Sequence, residues 1–208
     1  MAARVVRYEI IFVLALLLIS FVSETGGTTT PQEFIKSSCR ATRYPARCVE
    51  CLIGYAGVIG QSKRQLALEA LSVSISSTRS CSSFVKKMAK QMRMKPREYG
   101  AVQDCIENMG DSVDRLSQSV REMGRVGEGV GEDFEWHMSN VQTWVSAALT
   151  DDNTCLDGFD GRAMNGNVKA AIRGRVLYVA QLTSNALALV NHFAQTHSTT
   201  HQTPPIFN

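Results

Sequence analysis

Between Tyr99 and Met123, apolar side chains recur at alternating spacings of three and four: Tyr99, Val102, Ile106, Met109, Val113, Leu116, Val120 and Met123. That rhythm gathers them into one stripe along a helix, whereas a strand would send alternate residues to opposite faces. A seam held for more than three heptads is buried only against further helices, so the chain is committed to a helical bundle.

Three other segments supply the partners. Ser62 and Gln65 form a capping box opening a helix over about 63–92, with Leu66, Ala70, Val73, Ser77, Cys81, Phe84, Met88 and Met92 near one stripe. Pro96 is placed as the first residue of the seam helix. After a glycine-rich break, Gly124 to Gly131, a third helix is expected over about 133–150 with Phe134, Met138, Val141, Val145 and Ala148 inward. A fourth, over about 167–194, carries Val168, Ile172, Val179, Leu182, Ala186, Leu189 and Phe193. Upstream, Thr30-Pro31-Gln32-Glu33 reads as a helix start, and Tyr44-Pro45 stops that helix because proline disfavours a helical residue before it. A second short helix then runs to about Gly60. The expected fold class is all-α: an up-down-up-down four-helix bundle over residues 62–194, preceded by a short N-terminal α-helical hairpin over residues 30–61 and disulfide-tied. Residues 195–208, threonine-rich and closing on Thr-Pro-Pro-Ile-Phe-Asn, are expected to be a disordered tail.

The chain starts as an exported protein would. Arg4 and Arg7 precede the apolar run Ile10 to Ile19, which Phe21 and Val22 extend before small polar residues from Ser23. The run is short for a membrane anchor, so residues 1–25 are expected to be a signal peptide, cut between Ser23 and Thr28. Export decides how the six cysteines are read, since disulfides persist outside the cytosol. Cys39 and Cys48 stand nine positions apart across the hairpin turn; Cys105 lies on the seam helix, and Cys155 just past the expected end of the third. A bond between Cys105 and Cys155 would close a loop of about fifty residues, which loop-closure entropy makes stabilising by roughly 4 kcal/mol. Cys51 and Cys81 are left over, either paired with each other or held as buried thiols. Cleavage leaves about 180 residues, one core's worth. It removes Arg4, Arg7, Glu9 and Glu24, so the formal charge stays at +3, too mild to select a partner.

An ordered string of motifs carries a family resemblance. It consists of Cys39, Tyr44-Pro45 and Cys48; then Cys105-Ile106-Glu107-Asn108-Met109-Gly110-Asp111-Ser112-Val113-Asp114-Arg115-Leu116; then Val141-Gln142-Thr143-Trp144-Val145-Ser146-Ala147-Ala148-Leu149-Thr150; then Thr154-Cys155-Leu156-Asp157-Gly158-Phe159. This string resembles the plant invertase and pectin methylesterase inhibitor domain, and the run Leu182 to Leu189 looks like that family's final helix. The likeness covers roughly residues 32–194. It implies a hairpin plus a disulfide-tied bundle, with Cys39 paired to Cys48 and Cys105 to Cys155. It also implies a secreted protein of the plant cell wall, or apoplast, that is not an enzyme and docks over the active-site cleft of a carbohydrate-active enzyme in a stoichiometric complex. Invertase inhibitors of this family carry Pro-Lys-Phe just before the third bundle helix; here Gly131-Glu132-Asp133-Phe134-Glu135-Trp136 keeps only the phenylalanine. Thr143 to Ala148 looks like the pectin methylesterase side of the family, so pectin methylesterase is the expected partner and invertase the alternative. Lys95 stands where relatives usually place a threonine cap, which predicts fraying at the start of the second bundle helix.

Helical phase then picks out a surface. With Ile106, Met109, Val113 and Leu116 inward, Asp104, Glu107, Asp111 and Asp114 form an acidic outer stripe; with Val141, Val145 and Ala148 inward, Thr143, Ser146 and Thr150 point out and Trp144 flanks the seam. The expected partner-binding set is Asp111, Asp114, Thr143, Trp144, Ser146, Thr150, Thr154 and Asp157; the simpler reading is that these side chains only solvate an outer face. Lys86, Lys87, Lys90, Arg93, Lys95 and Arg97 crowd the end of the first bundle helix, where cations complement its dipole. A weak contact with acidic pectin through Lys86, Lys87, Lys90 and Arg93 is the functional alternative.

The sequence contains no G-x-S-x-G and no H-E-x-x-H, and its glycine-rich break follows a helix and holds Glu128 where a phosphate loop would avoid negative charge. Cys48 and Cys51 form a C-x-x-C, but the resemblance assigns Cys48 to Cys39, so a structural role is expected. His192, His197 and His201 run from a helix end into the tail; no metal and no cofactor are expected. From another class of function, a helical carrier of an apolar ligand is the remaining reading.

Overall fold

Pro31–Cys39 (α1) and Pro45–Leu52 (α2) form the hairpin, which continues through a 3-10 turn, Ile53–Tyr55, into one turn of helix, Ala56–Ile59 (α3). Four long helices follow: Lys63–Gln91 (α4), Pro96–Arg125 (α5), Glu132–Asp157 (α6) and Asn167–Ser198 (α7). This computed structural model describes residues 29–92, 94–126, 131–160 and 166–198. The expected signal peptide, Arg93, Glu128, His201 and the tail beyond Ser198 lie outside the described residues. Each long helix packs on its neighbours in the ring α4–α5–α6–α7, with the hairpin laid mainly against α4 and α7. The architecture is the expected up-down-up-down bundle.

Local sequence explains most of the boundaries. Ser62 caps α4, its Oγ accepting the Gln65 N–H at 3.2 Å, while the Gln65 amide turns forward to Glu69 (3.0 Å) instead of closing the box. Gly54 and Gly57 weaken helix formation, so the second hairpin helix breaks after Leu52 where a continuous run to Gly60 was expected. Gly60 then takes φ +56°, a backbone conformation open to glycine, and turns the chain into α4. The threonine cap absent at Lys95 is offset: the Glu98 carboxylate, three residues on, accepts the Lys95 N–H at 3.0 Å.

Two helices are longer than the sequence suggested. α6 runs to Asp157 rather than Thr150, because Thr150 and Thr154 return their hydroxyls to the carbonyls of Ser146 and Thr150 (3.1 and 2.9 Å), and Cys155 and Leu156 find burial. Cys155 is therefore inside the helix, not beyond it. α7 reaches Ser198, four residues past Ala194; His197 stacks 4.9 Å from Phe134 and 4.8 Å from Phe193, which turns the first residues assigned to the tail into helix.

The core has two apolar halves. One joins the hairpin to Leu66, Leu71, Leu116, Val141, Val145 and Phe193; the other gathers Val85, Val102, Met109, Phe159, Ile172 and Val176 around the Cys105–Cys155 bridge. Fully buried polar residues come from all four long helices, among them Thr78, Ser112, Asp152 and Thr183, all 0% exposed. Thr78 satisfies itself by donating to the Ser74 carbonyl at 2.8 Å. The other three bond to one another. The α4 stripe expected through Ser77 and Met92 is displaced to Ser74, Thr78 and Ser82, with Met92 exposed.

Two disulfides tie this frame, Cys39–Cys48 (Cα–Cα 5.6 Å) and Cys105–Cys155 (Cα–Cα 4.4 Å). Cys51 and Cys81 remain thiols, so the third pairing left open by the sequence is not formed. Cys51 Sγ lies 3.4 Å from Tyr178 Oη.

Candidate functional site

The outer faces of α5 and α6 form one continuous surface, because these are the most extensively packed pair of helices. The helical phase read from the sequence holds: Asp104, Glu107, Asp111 and Asp114 on α5 and Thr143, Ser146, Thr150, Thr154 and Asp157 on α6 are all exposed. Trp144 is half-buried beside the seam, matching its predicted position. Across the junction Arg115 Nε donates to Asp151 Oδ2 at 2.7 Å, with Asp111 near enough to push the Asp151 carboxyl upward, though burial is the larger cause. The structure therefore brings Asp111, Asp114 and the α6 residues onto one wall.

A residue that phase reasoning left out extends this wall. Trp136, 67% exposed, stands seven positions before Thr143, and Trp136, Thr143, Thr150 and Asp157 recur at heptad spacing along the outer line of α6. Tryptophan is a residue type enriched at protein interfaces. The signal was present in the sequence as a tryptophan off the apolar seam. Phe134, the one residue retained from the invertase-type motif, is 6% exposed and meets Phe193 edge-on at 5.8 Å. It is a core residue and is withheld from the surface.

The base of α6 is fixed to α5 by Glu122. Only 5% exposed, it bonds His137 Nδ1 (2.8 Å), accepts from the Asn140 amide (3.2 Å) and pairs with Arg125 (3.0 Å). The His137 hydrogen bond is the main reason its carboxyl lies below the ordinary range. On the other side Arg64, from the first turn of α4, donates to the carbonyls of Met123 (2.9 Å) and Val126 (3.2 Å), capping the end of α5. The end of α5 is thus held by α4 on one side and by the first turns of α6 on the other.

Charge is segregated around the bundle. α6 holds Glu132, Asp133, Glu135, Asp151, Asp152 and Asp157 and no lysine or arginine; α5 sets six carboxylates against four arginines. α7 holds Lys169, Arg173 and Arg175 and no carboxylate; α4 sets six cations against Glu69. Formally, α5 and α6 together carry −8 and α4 and α7 together +8. The mild net charge of the chain conceals two strongly charged flanks. Lys86, Lys87, Lys90, Lys95 and Arg97 are exposed on the basic side, and none forms an ion pair among the described residues.

Bearing on the carrier reading, the void between hairpin and bundle, lined by Cys48, Cys51, Leu52 and Leu182, measures about 10 Å³, room for one water molecule and too small for an apolar ligand. Among the described residues no helix is long and apolar enough to cross a membrane.

A disulfide-tied hairpin and bundle with this string of motifs defines a plant inhibitor-type helical domain. Residues 33–189 match the sequence model of the plant invertase/pectin methylesterase inhibitor family, and the chain belongs to that family. It is 53% identical to pectinesterase inhibitor 9 of Arabidopsis thaliana over 194 residues, covering 90% of this chain and 95% of that one. With pectinesterase inhibitor 11 of the same plant it shares 45% identity, covering 90% and 98%, and with a 21 kDa protein of Daucus carota 48%, covering 79% and 86%. In fold it is similar to a crystal structure of a mutant form of an Arabidopsis pectin methylesterase inhibitor, with TM-score 0.61 and 17% identity over 76% of this chain and 95% of that one.

Proposed function

We propose that this protein is a secreted inhibitor of pectin methylesterase. It acts by occupying the enzyme's active-site cleft in a stoichiometric complex, and so restrains the de-esterification of cell-wall pectin in the apoplast. The observation that carries this reading is the α5–α6 wall: small exposed hydroxyl side chains, Thr143, Ser146, Thr150 and Thr154, between an exposed tryptophan and a row of carboxylates. Small side chains let two backbones approach closely and still supply hydrogen bonds, and an exposed tryptophan is the residue type that most often anchors such an interface. Asp111, Asp114 and Asp157 border it and favour a partner whose cleft rim is basic. Trp144 supports the wall from beneath its edge. The relatives named as pectinesterase inhibitors point to the same enzyme class, and the burial of Phe134 removes the invertase-type contact.

No chemistry is required of the inhibitor itself. The disulfides and the anchored ends of α5 and α6 keep the wall preformed, which lowers the ordering cost of binding. At the far end of α4, Lys86, Lys87 and Lys90 add a salt-sensitive contact with acidic pectin. The reading is tested by assaying the purified protein against a plant pectin methylesterase and a cell-wall invertase at acidic pH. Loss of esterase activity at equimolar inhibitor with invertase untouched supports it; inhibition of invertase alone overturns it.

A further inference from the structure

The basic flank contains a groove that the enzyme-facing wall does not use. It opens between the middle of α4 and the first half of α7, has a volume of about 390 Å³, and is lined by Ser76, Ser77, Ser80, Gly174, Arg175 and Tyr178, with Cys81 and Val179 at its floor. The geometry points to a binding site here for an acidic sugar, with the α4–α7 flank as a track for a polyuronate chain.

Its chemistry fits that ligand class at each position. Arg175 lies 4.0 Å over the Phe84 ring, which fixes the plane of the guanidinium and leaves its N–H edges for a carboxylate. It forms no ion pair among the described residues. Ser76, Ser77 and Ser80 differ from their neighbours: Ser74 and Thr78 return their hydroxyls to α4's own carbonyls, whereas the hydroxyls of these three have no hydrogen bond among the described residues. They present donors and acceptors to a hydroxyl-rich ligand. Tyr178 borders the same groove as a half-buried ring, held on its other side by Arg47 at 4.9 Å. The volume falls within the range of small-molecule sites.

Gly174 is the second indication. Glycine in the middle of a helix costs about 1 kcal/mol relative to alanine, yet an added Cβ at 174 would meet no atom within 4 Å. Packing does not demand glycine here; a side chain would stand in the groove. The surrounding field adds to this, because the formal +8 of α4 and α7 draws polyanions while the −8 of α5 and α6 repels them. A polyuronate is thereby directed to the face opposite the enzyme-binding wall, and both can be occupied at once. The site does not depend on which enzyme the α5–α6 wall engages.

The experiment titrates the secreted protein by calorimetry with fully de-esterified oligogalacturonate about ten units long, and with the same oligomer fully methyl-esterified. The acidic oligomer should bind and the esterified one should not. Arg175→Glu and Gly174→Leu should each weaken binding by about tenfold, through charge reversal and by filling the groove. Arg175→Lys should recover most of the affinity, and all variants should keep the wild-type helical spectrum and melt no lower than the wild type, with Gly174→Leu melting somewhat higher. Esterase inhibition, measured in parallel, should be unchanged by these substitutions, so the two readings fail separately. Affinity unaltered by Arg175→Glu and Gly174→Leu would overturn the site, as would loss only on replacing Lys86, Lys87 and Lys90 with glutamate. Equal affinity for anionic lipid vesicles would show a general polyanion surface and overturn it as well.

Discussion

The side-chain amide of Asn185 closes a two-bond ring on the backbone of Tyr44, its Oδ1 accepting the Tyr44 N–H at 3.0 Å and its Nδ2 donating to the Tyr44 carbonyl at 3.0 Å. The two residues are 141 positions apart, and through them the last helix fastens the residue before Pro45, where the chain turns from α1 into α2. The Tyr44 carbonyl also accepts the Cys48 N–H of α2 at 3.0 Å, but the Tyr44 N–H precedes the helix, and Asn185 supplies its acceptor.

Asn185→Ala should lower stability by about 2 kcal/mol, the cost of two hydrogen bonds at a partly buried site. Amide exchange should quicken at Tyr44 to Cys48 and leave the centre of α6 unchanged. Unaltered exchange in the hairpin would separate the Asn185 contact from the docking of α1 and α2.

Asp152 gives the fold a pH dependence. Burial raises its carboxyl to about 7, opposed by hydrogen bonds from Thr183 and Ser112 (each 2.8 Å). The Thr183 hydroxyl also lies 3.1 Å from the Val179 carbonyl, and one proton cannot serve both acceptors. A protonated Asp152 donates to Thr183 and frees it for Val179. Because the folded value lies above the unfolded one, the stability Asp152 contributes is complete below about pH 4 and is lost as pH rises toward 7. Between pH 5 and 7 the protein should lose about 2 kcal/mol. Asp152→Asn should flatten that slope in chemical denaturation series.

The two disulfides should differ in worth. Replacing Cys105 and Cys155 by serine opens a loop of 50 residues and should cost roughly 4 kcal/mol. Replacing Cys39 and Cys48 opens a loop of 9 and should cost roughly 2.5 kcal/mol. Denaturant midpoints of the two double variants rank them directly.

Arg64→Ala should fray the last turn of α5, since the Met123 and Val126 carbonyls lose their donor. A loss of about 1–2 kcal/mol is expected from thermal melts, with faster exchange at Val126 and in the first turn of α6.

What the sequence made legible follows from periodicity. The seams of α5, α6 and α7 and the outward phase of Thr143, Ser146 and Thr150 depend only on spacing, and they appear as read except at Tyr99, which is 52% exposed in the first turn of α5, before the seam finds a partner. The length of α6 did not, because a threonine that bonds back to its own helix looks in sequence like a threonine that ends one. The polar layer was hidden for a related reason: Ser112, Asp152 and Thr183 are residue types that normally mark a surface, and only the meeting of three helices makes Asp152 the shared acceptor of the other two. Asn185 and Arg64 were beyond local reading because each serves backbone groups more than fifty residues away. Trp136 was visible as an aromatic outside the apolar stripe, and its heptad relation to Thr143 was there to be counted.

The α5–α6 wall as the blocking surface is tested most directly by inhibition of pectin methylesterase with Thr143→Lys/Thr154→Lys protein. Both side chains are exposed, so the variant should melt as the wild type does while its inhibition weakens by about a hundredfold or more, as expected when charge is buried unpaired at an interface. Undiminished inhibition by a correctly folded variant would contradict the account and move the enzyme to another face of the bundle.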